Sequence, residues 1–167
     1  MAEPTIQPAT ETDLVGLTDI YNHYVITSPV TFDLEPFSVD GRREWFSHYG
    51  ESGPHRLLVA REEDRILGYA TSSRFRPKGA YDTSVETTVY CHPEHGGRGV
   101  GTLLYSALFE TLEKEDVHRA FAGITLPNPA SEALHRRFEF TRIGVFKEVG
   151  RKFDRYWDVA WFGKTLR

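Results

Sequence analysis

The chain contains one cysteine, Cys91, in 167 residues. A single cysteine excludes an internal disulfide framework and is consistent with a reducing compartment, so we expect a cytoplasmic protein. No apolar run approaches the roughly 20 residues that a membrane-spanning helix needs. Residues 1–5 are polar and acidic. We therefore expect neither a signal segment nor a membrane partner.

Basic residues are outnumbered by acidic ones, with 20 Lys and Arg against 24 Asp and Glu and a formal net charge of -4. Without a long basic block, this balance argues against general nucleic-acid binding. The hydrophobic share of 40% and the charged share of 26% are typical of a globular protein. Internal repeats, low-complexity tracts and linkers are also missing. We expect one domain, residues 1–167.

Periodicity and turn signals predict the element order β-α-α-β-β-β-α-β-α-β-β. Helices interleaved with a central mixed sheet indicate an α/β or α+β fold. The predicted strands are residues 5–8, 56–61, 66–72, 85–91, 119–126, 142–149 and 157–165.

Capping residues locate the helices. Thr10 with Asp13 resembles a capping box for the first helix, whose buried face is predicted at Leu14, Leu17, Tyr21 and Val25. Ser38 is predicted to cap a second helix that carries Trp45 and Phe46. The third helix has an apolar stripe at Val100, Leu103, Leu104, Ala107, Leu108 and Leu112. Asn128 is predicted to cap the last helix, with Pro129 in its first position and a buried stripe at Ala130, Ala133, Leu134 and Phe138.

The most informative stretch is residues 92–102, which lie between a β-rich run and a helical pattern. Strand, glycine-dense turn and helix together point free backbone N–H groups and a helix dipole at one spot, which suits a phosphate or diphosphate. Arg98 adds a cation. The stretch is not a P-loop, because no lysine follows the glycines, and a G-x-G-x-x-G match would need glycine at Thr102. An ordinary glycine-rich turn is the alternative.

This loop, its helix and the helix that begins at Asn128 together resemble the GNAT acetyltransferase superfamily. The superfamily loop reads Arg/Gln-x-x-Gly-x-Gly/Ala, and residues 96–101 match it except that Gly96 replaces the leading Arg or Gln. Almost the whole chain is similar to one subfamily, the phosphinothricin and methionine sulfoximine N-acetyltransferases. Glu139 is a departure, since the subfamily usually has glycine there. The matching stretches are residues 20–24, 30–36, 79–82, 86–90, 128–131, 134–135, 152–153 and 157–159.

The resemblance implies acetyl-CoA-dependent transfer to the α-amine of a small amino acid such as phosphinothricin, methionine sulfoximine or methionine sulfone, by direct attack on the thioester. It implies a GNAT fold, with a mixed, mostly antiparallel sheet that is splayed after the strand 85–91 and flanked by helices. Homodimers and herbicide resistance are implied too. The implied cofactor-binding residues are Val89, Tyr90, Cys91, Gly97, Arg98, Gly99, Val100, Gly101, Thr102 and Asn128. The implied substrate-binding residues are Phe32, Arg76, Pro77, Lys78, Tyr81, Glu86, Thr87, Thr88 and Tyr90.

Two side chains are predicted to handle protons. An amine attacks a thioester only as the free base, so a nearby group must accept its proton. Glu86 lies in a strand of Thr, Val and Tyr, where burial would raise the pKa of its carboxyl. His135, one turn after Ser131, can give or take a proton near neutral pH. From the residues alone, a solvent-facing glutamate and a helix-surface histidine are the alternatives.

Arg74, Arg76 and Lys78 form either a solvated charged loop or a clamp for the carboxylate and tetrahedral head of the substrate. Lys and Arg are exchanged here relative to the phosphinothricin enzymes, which leaves substrate preference open. Cys91 lacks an activating base and is expected to be inert. We expect no metal site at the crowded group His92, Glu94 and His95.

Two other functions are kept open. One is acetylation of a different amine, such as a peptide N-terminus or a polyamine, although the cation cluster would repel polyamines. The other is a non-catalytic CoA-binding module, against which the presence of both Glu86 and His135 argues. Aromatic residues near the C-terminus are expected in the core or a dimer contact: Phe153, Tyr156, Trp157, Trp161 and Phe162.

Overall fold

The computed structural model describes residues 2–167, and its elements follow the predicted order. The strands are β1 (Thr5–Pro8), β2 (Arg56–Glu62), β3 (Arg65–Arg74), β4 (Ser84–Cys91), β5 (Arg119–Thr125), β6 (Thr141–Lys152) and β7 (Arg155–Thr165). The helices are α1 (Leu14–Thr27), α2 (Arg43–Ser47), α3 (Val100–Leu112) and α4 (Pro129–Arg137). Within the described chain, none of these helices has the length and apolar character needed to cross a membrane.

The seven strands form one sheet in the order β1-β2-β3-β4-β5-β7-β6. Every neighbouring pair is antiparallel except β4 and β5, which run parallel. The predicted mixed, mostly antiparallel sheet is therefore confirmed.

The parallel pair β4–β5 is short. It consists of the pairs Ser84–Arg119, Val85–Ala120 and Glu86–Phe121. Beyond Glu86 the two strands part, because β4 continues to pair with β3 while β5 stays with β7 and sheet twist separates them. From the sequence, the two strands were expected to part after the strand 85–91. This expectation was wrong, because they part after Glu86, inside β4.

Each face of the sheet has its own apolar cluster. Val85 and the buried residues of α3 share one cluster, whereas Tyr90 packs against the cluster that contains Leu17 of α1. Side chains alternate along a strand, so Glu86 and Thr88 lie on the α1 face with Tyr90. Thr87, Val89 and Cys91 lie on the α3 face.

The capping residue was predicted correctly for α1 but not for α2. In α1, Leu14, Leu17 and Val25 are buried, and the Thr10 N–H donates to the Asp13 carboxylate at 2.8 Å as the capping box requires. The cap at Ser38 was wrong for α2. The Ser38 hydroxyl accepts from the Gly41 N–H at 3.0 Å, where a 3-10 turn precedes the helix.

In α3 the predicted stripe is shifted. Leu103 is exposed, whereas Tyr105 and Phe109 are buried. Both aromatic rings reach Phe138 and Phe140, so the buried face of α3 meets the connection between α4 and β6 as well as the sheet.

In α4 the predicted stripe was half wrong. Ala130 and Ala133 are exposed, while Leu134 and Phe138 are partly buried. The two alanines face an open groove beside the glycine-rich loop. Their small side chains therefore leave space in this groove and do not pack in a core.

The end of β6 holds the connector that follows α1. The Lys152 ammonium donates to the carbonyl oxygens of Ser28 at 2.8 Å and Thr31 at 2.9 Å. Gly150 lies directly under the Phe32 ring, and a Cβ at position 150 would overlap that ring. The position of Phe32, a predicted substrate contact, therefore depends on glycine at 150.

We predict that Gly150→Ala lowers the free energy of unfolding by about 1–3 kcal/mol, because overpacking forces Phe32 and its connector to move. Gly144→Ala on the same strand is the matched control, since a Cβ there meets nothing within 4 Å. We expect the control to stay within about 0.5 kcal/mol of the unsubstituted protein. Urea unfolding followed by tryptophan fluorescence measures both, and equal midpoints for the two variants would contradict the packing argument.

Candidate active site

The parting of β4 and β5 opens a cavity of about 380 Å³. Thr88 and Tyr90 line it from the α1 face of the sheet, while Thr87, Tyr105 and His135 line it from the α3 face. The cavity therefore passes through the sheet and connects its two faces. The complete lining is Tyr24, Val30, Thr87, Thr88, Val89, Tyr90, Cys91, Tyr105, Ala122, Gly123, Ile124, Thr125, Asn128, Ala130, Ser131, Leu134 and His135.

The edge of β4 that faces this cavity is not paired with another strand beyond Glu86. The His92 N–H donates to the Leu67 carbonyl of β3 at 2.8 Å, so the backbone groups of Cys91 and Val89 point to the opposite edge. The Tyr24 hydroxyl donates to the Cys91 carbonyl at 2.5 Å. An exposed strand edge of this kind accepts an extended ligand as an added strand. Val89 and Cys91 thus lie where the predicted pantetheine contact needs them.

The glycine-rich loop is open. Gly97 and Gly99 have φ values of 78° and 76°, which favour glycine, and a Cβ on either residue would meet nothing within 4 Å. A groove of about 430 Å³ runs between this loop and α4. Its lining is Cys91, His95, Gly97, Gly99, Val100, Gly101, Thr102, Ala130, Ala133, Leu134 and Arg137.

The sequence predicted that Arg98 adds a cation to the phosphate-binding loop, but the Arg98 side chain does not line the groove. The guanidinium donates to the Glu62 carboxylate at 2.9 Å and lowers the pKa of that carboxyl. The ion pair draws Arg98 toward the β2–β3 turn and away from the groove. Arg137, which sequence reasoning missed, lines the groove instead and donates to the Thr102 hydroxyl at 3.1 Å.

His135 is buried, with 3% of its surface exposed, so the surface-histidine alternative was wrong. Its Nδ1 lies 2.7 Å from the Ser131 carbonyl oxygen, which can only accept. Nδ1 therefore carries the proton, and Nε2 accepts from the Tyr105 hydroxyl at 2.9 Å. Burial lowers the pKa of His135, and the Ser131 contact offsets this in part.

Tyr105 extends this chain of hydrogen bonds toward β4. Its oxygen lies 3.3 Å from the Thr87 hydroxyl. The Thr87 hydroxyl is thus a second, more distant acceptor for the phenol proton that His135 Nε2 accepts at 2.9 Å. Burial raises the pKa of Tyr105, which keeps the phenol protonated. Sequence reasoning passed over Tyr105 because it assigned the buried stripe of α3 to aliphatic residues.

Asn128 begins α4 as predicted. Its side-chain oxygen accepts from the Ser131 N–H at 3.1 Å, and Pro129 occupies the first helical position. The capped helix places Asn128, Ser131 and His135 on the wall of the cavity.

Glu86 lies on the other face of the sheet, between Ser73 of β3 and Phe121 of β5. It is not among the residues that line the cavity, but it directly precedes Thr87 and Thr88, which do. Burial raises the pKa of Glu86, and the charge of Arg76 partly offsets this rise. Glu86 and His135, the two side chains predicted to handle protons, therefore lie on opposite faces of the sheet, next to one opening.

Arg76 lies on the Glu86 side of the sheet. Its guanidinium covers the Phe75 ring at 4.3 Å, and Phe75 stacks on Phe121 at 4.5 Å. Tyr81 is partly exposed, with its ring 5.9 Å from Phe75. The predicted clamp residue Arg76 thus lies near the predicted base.

The other predicted substrate contacts are dispersed. The Thr88 hydroxyl lies 2.6 Å from the Thr71 hydroxyl beside the cavity. Arg74 donates to the Pro77 carbonyl at 2.5 Å, which fixes the loop, while the Lys78 side chain is exposed.

Cys91 and the nearby histidines show no catalytic arrangement. Burial raises the pKa of the Cys91 thiol, although the Gly101 N–H partly offsets it, so the thiolate is disfavoured. Ligand atoms of His92, Glu94 and His95 lie within 4.8 Å of one another, and no fourth His, Cys, Asp or Glu among residues 2–167 joins them.

Comparison with known proteins defines the class. The model of the Acetyltransferase (GNAT) family matches residues 17–140, and the chain belongs to this family. It is 58% identical to the phosphinothricin N-acetyltransferase of Streptomyces coelicolor over 99% of this chain and 98% of the relative.

It is also 32% identical to the L-methionine sulfoximine/L-methionine sulfone acetyltransferase of Salmonella typhimurium, over 97% of this chain and 94% of the relative. A solved structure with the same fold is the phosphinothricin acetyltransferase of Sinorhizobium meliloti in complex with acetyl-CoA, with a TM-score of 0.92 and 32% identity over 98% of this chain and 88% of that one. The chain is an acetyl-CoA-dependent GNAT N-acetyltransferase, and the predicted family, fold and enzyme class are confirmed.

We predict that Tyr105→Phe raises the pKa of His135, because the lost hydroxyl donates to the neutral ring. In the unsubstituted protein the folded-state pKa lies below the ordinary 6.5, so the stability that neutral His135 contributes is present above pH 6.5 and lost as pH falls. This pH dependence becomes shallower in the variant. The unpaired Nε2 also costs about 1–3 kcal/mol.

NMR titration of the His135 ring and urea unfolding between pH 5 and 8 measure the two effects. Tyr49→Phe is the control, since its hydroxyl contacts Ser73, 2.7 Å away, on the α1 face. An unchanged His135 titration in Tyr105→Phe would refute the assigned donor.

Proposed function

We propose that this acetyltransferase acetylates the α-amine of a small amino acid of the phosphinothricin, methionine sulfoximine or methionine sulfone type. The observation that carries the proposal is the position of Glu86, a carboxyl with a raised pKa that faces Arg76 at the mouth of a gap through the sheet. The substrates named for the relatives from Streptomyces coelicolor and Salmonella typhimurium agree with it.

The co-substrate acetyl-CoA fits the α3 face. Free N–H groups at the start of α3 and the left-handed glycines Gly97 and Gly99 suit its diphosphate. The open edge of β4 at Val89 and Cys91 suits the amide groups of pantetheine. The thioester would then lie in the cavity near Asn128 and Tyr105.

The amino acid approaches from the α1 face. The Arg76 guanidinium suits a carboxylate or phosphinate through bidentate hydrogen bonds. Glu86 accepts the proton of the α-ammonium group, directly or through water, which frees the amine to attack through the gap. The two reactants thus enter from opposite faces and meet between β4 and β5.

His135 acts through Tyr105 in this proposal. Both ring nitrogens are engaged inside the protein, and the Tyr105 hydroxyl lies between His135 and the cavity wall at Thr87. After the carbon–sulfur bond breaks, Tyr105 can give its proton to the thiolate and be reprotonated from water, while His135, whose proton is on Nδ1, holds the phenol through Nε2. The direction of transfer, which the sequence left open, is then from the protein to the leaving group.

Acetylation of another amine is the second candidate. Arg76 and Lys78 on the entry loop disfavour a cationic acceptor by repulsion. A CoA-binding module without catalysis is disfavoured by the buried chain of Thr87, Tyr105 and His135. The cytoplasmic location, the role in herbicide resistance and the lack of metal, nucleic-acid and membrane partners remain predictions.

We also propose a homodimer. The β6–β7 arm exposes more than half the surface of each of five apolar side chains, namely Ile143, Phe146, Val149, Phe153 and Tyr156. Large exposed apolar patches mark interaction sites. Phe146 contacts Trp161, whose ring lies against the cavity residue Gly123, so a second copy docked here would border the active site.

We predict that Phe146→Asp converts the dimer to a monomer, because it buries a charge in the apolar interface. Val15→Asp on α1 is the control, as Val15 is 56% exposed outside the arm. Sedimentation equilibrium at micromolar protein distinguishes the species. A monomeric unsubstituted protein would refute the proposed dimer.

The substrate proposal predicts thiol release from acetyl-CoA with phosphinothricin, methionine sulfoximine or methionine sulfone, and weak or no release with polyamines. A preference for a cationic acceptor would exclude the Arg76 clamp. Acetyl-CoA binding by calorimetry, without product from any amine in the panel, would favour the non-catalytic module.

Within the same assay, Glu86→Gln should lower kcat by about 10²–10⁴-fold, the usual contribution of a general base. Since the pKa of Glu86 is raised, kcat/KM of the unsubstituted protein should fall on acidification at a pH above the ordinary 4.5, and the variant should lack this decline. Glu44→Gln, on the exposed side of α2, should match the unsubstituted protein. Retention of the acid decline in Glu86→Gln would remove Glu86 from its role.

A further inference from the structure

Helix α4 presents two adjacent stripes to two different spaces. Ser131 and His135 face the cavity in the sheet. Ala133 and Arg137 face the groove beside the glycine-rich loop, and Ala130 borders both the groove and the cavity. Arg137 is therefore turned toward that loop by the helical repeat, and the two alanines leave space for a ligand beside it.

The glycine-rich loop supplies no Arg or Lys side chain to the groove. Gly96 carries no side chain where the superfamily usually has Arg or Gln, and Arg98 is paired with Glu62 outside the groove. In the part of the chain that the structure describes, Arg137 is the one Arg or Lys among the residues that line this groove.

We propose that Arg137 binds the diphosphate of CoA and takes the place of the side chain missing at Gly96. Its guanidinium contacts the neutral Thr102 hydroxyl at 3.1 Å, in the first turn of α3, where the free N–H groups of the helix point. A guanidinium has five donors in a planar fork, so the Thr102 contact leaves others for phosphate oxygens. The inference rests on acetyl-CoA as the co-substrate.

Arg136 offers a matched control. It also lies in the last turn of α4, where a cation stabilises the helix dipole, but it pairs with Glu132 at 3.4 Å and does not line the groove. A purely structural role for Arg137 at the helix end would therefore be shared by Arg136, whereas a phosphate contact would not.

The test measures calorimetric affinity for acetyl-CoA, for acetyl-dephospho-CoA, which lacks the 3′-phosphate, and for S-acetylpantetheine, which lacks the diphosphate. We expect Arg137→Ala to weaken binding of both nucleotides by about 10–100-fold, the range of a charge-assisted hydrogen bond. Its affinity for S-acetylpantetheine should equal that of the unsubstituted protein. Arg136→Ala should change none of the three values.

A similar loss with S-acetylpantetheine would overturn the proposal in favour of a structural role. A loss confined to acetyl-CoA would assign Arg137 to the 3′-phosphate and overturn the diphosphate contact. Gly96→Arg in the Arg137→Ala background should restore affinity for acetyl-CoA, because a Cβ at Gly96 meets nothing within 4 Å. No gain in affinity would refute the proposal that Arg137 takes the place of the side chain missing at Gly96. Calorimetry needs no acceptor amine, so failure here is distinct from failure of the proposed acceptor.

Discussion

The site depends on the early end of the parallel pairing between β4 and β5. Three residue pairs hold the strands together, and each strand then follows its antiparallel neighbour. Backbone groups left unpaired in a protein interior are costly, so the open edge of β4 requires partners. The Tyr24 hydroxyl supplies one at Cys91, and an extended amide ligand can supply others. The edge of β4 beyond Glu86 thus lacks a neighbouring strand, and the amide groups of the pantetheine arm can take the place of one.

This opening also separates two kinds of chemistry. On the α1 face, burial raises the pKa of Glu86, which suits a group that must take a proton from an ammonium ion. On the α3 face, burial lowers the pKa of His135 and raises that of Tyr105, which keeps both neutral. Burial is the largest cause of the pKa shift at each of the three groups, and the charge of Glu86 adds to the rise at Tyr105.

The sequence was sufficient for features that are local. The strand order and the Asn128 cap follow from turn chemistry and periodicity, and they were confirmed, although β6 and β7 extend beyond the predicted bounds 142–149 and 157–165. It was insufficient where a side chain is positioned by a distant element. Arg98 pairs with Glu62, which is 36 residues away in the sequence, and Tyr105 packs against His135 of α4 and against Phe140. Periodicity says which residues share a face, but not whether that face meets a core or an open groove, as Ala130 and Ala133 show.

Helix α4 connects these observations. Asn128 caps it, Ser131 fixes the His135 tautomer, and Arg137 faces the glycine-rich loop, all within about two and a half turns. A short helix moves as one body, so a diphosphate held between Arg137 and the start of α3 would also fix the distance from the cofactor to His135 and Tyr105. Placing the cation on α4 instead of at Gly96 therefore couples cofactor binding to the proton-handling residues, whereas a loop cation would hold the diphosphate alone.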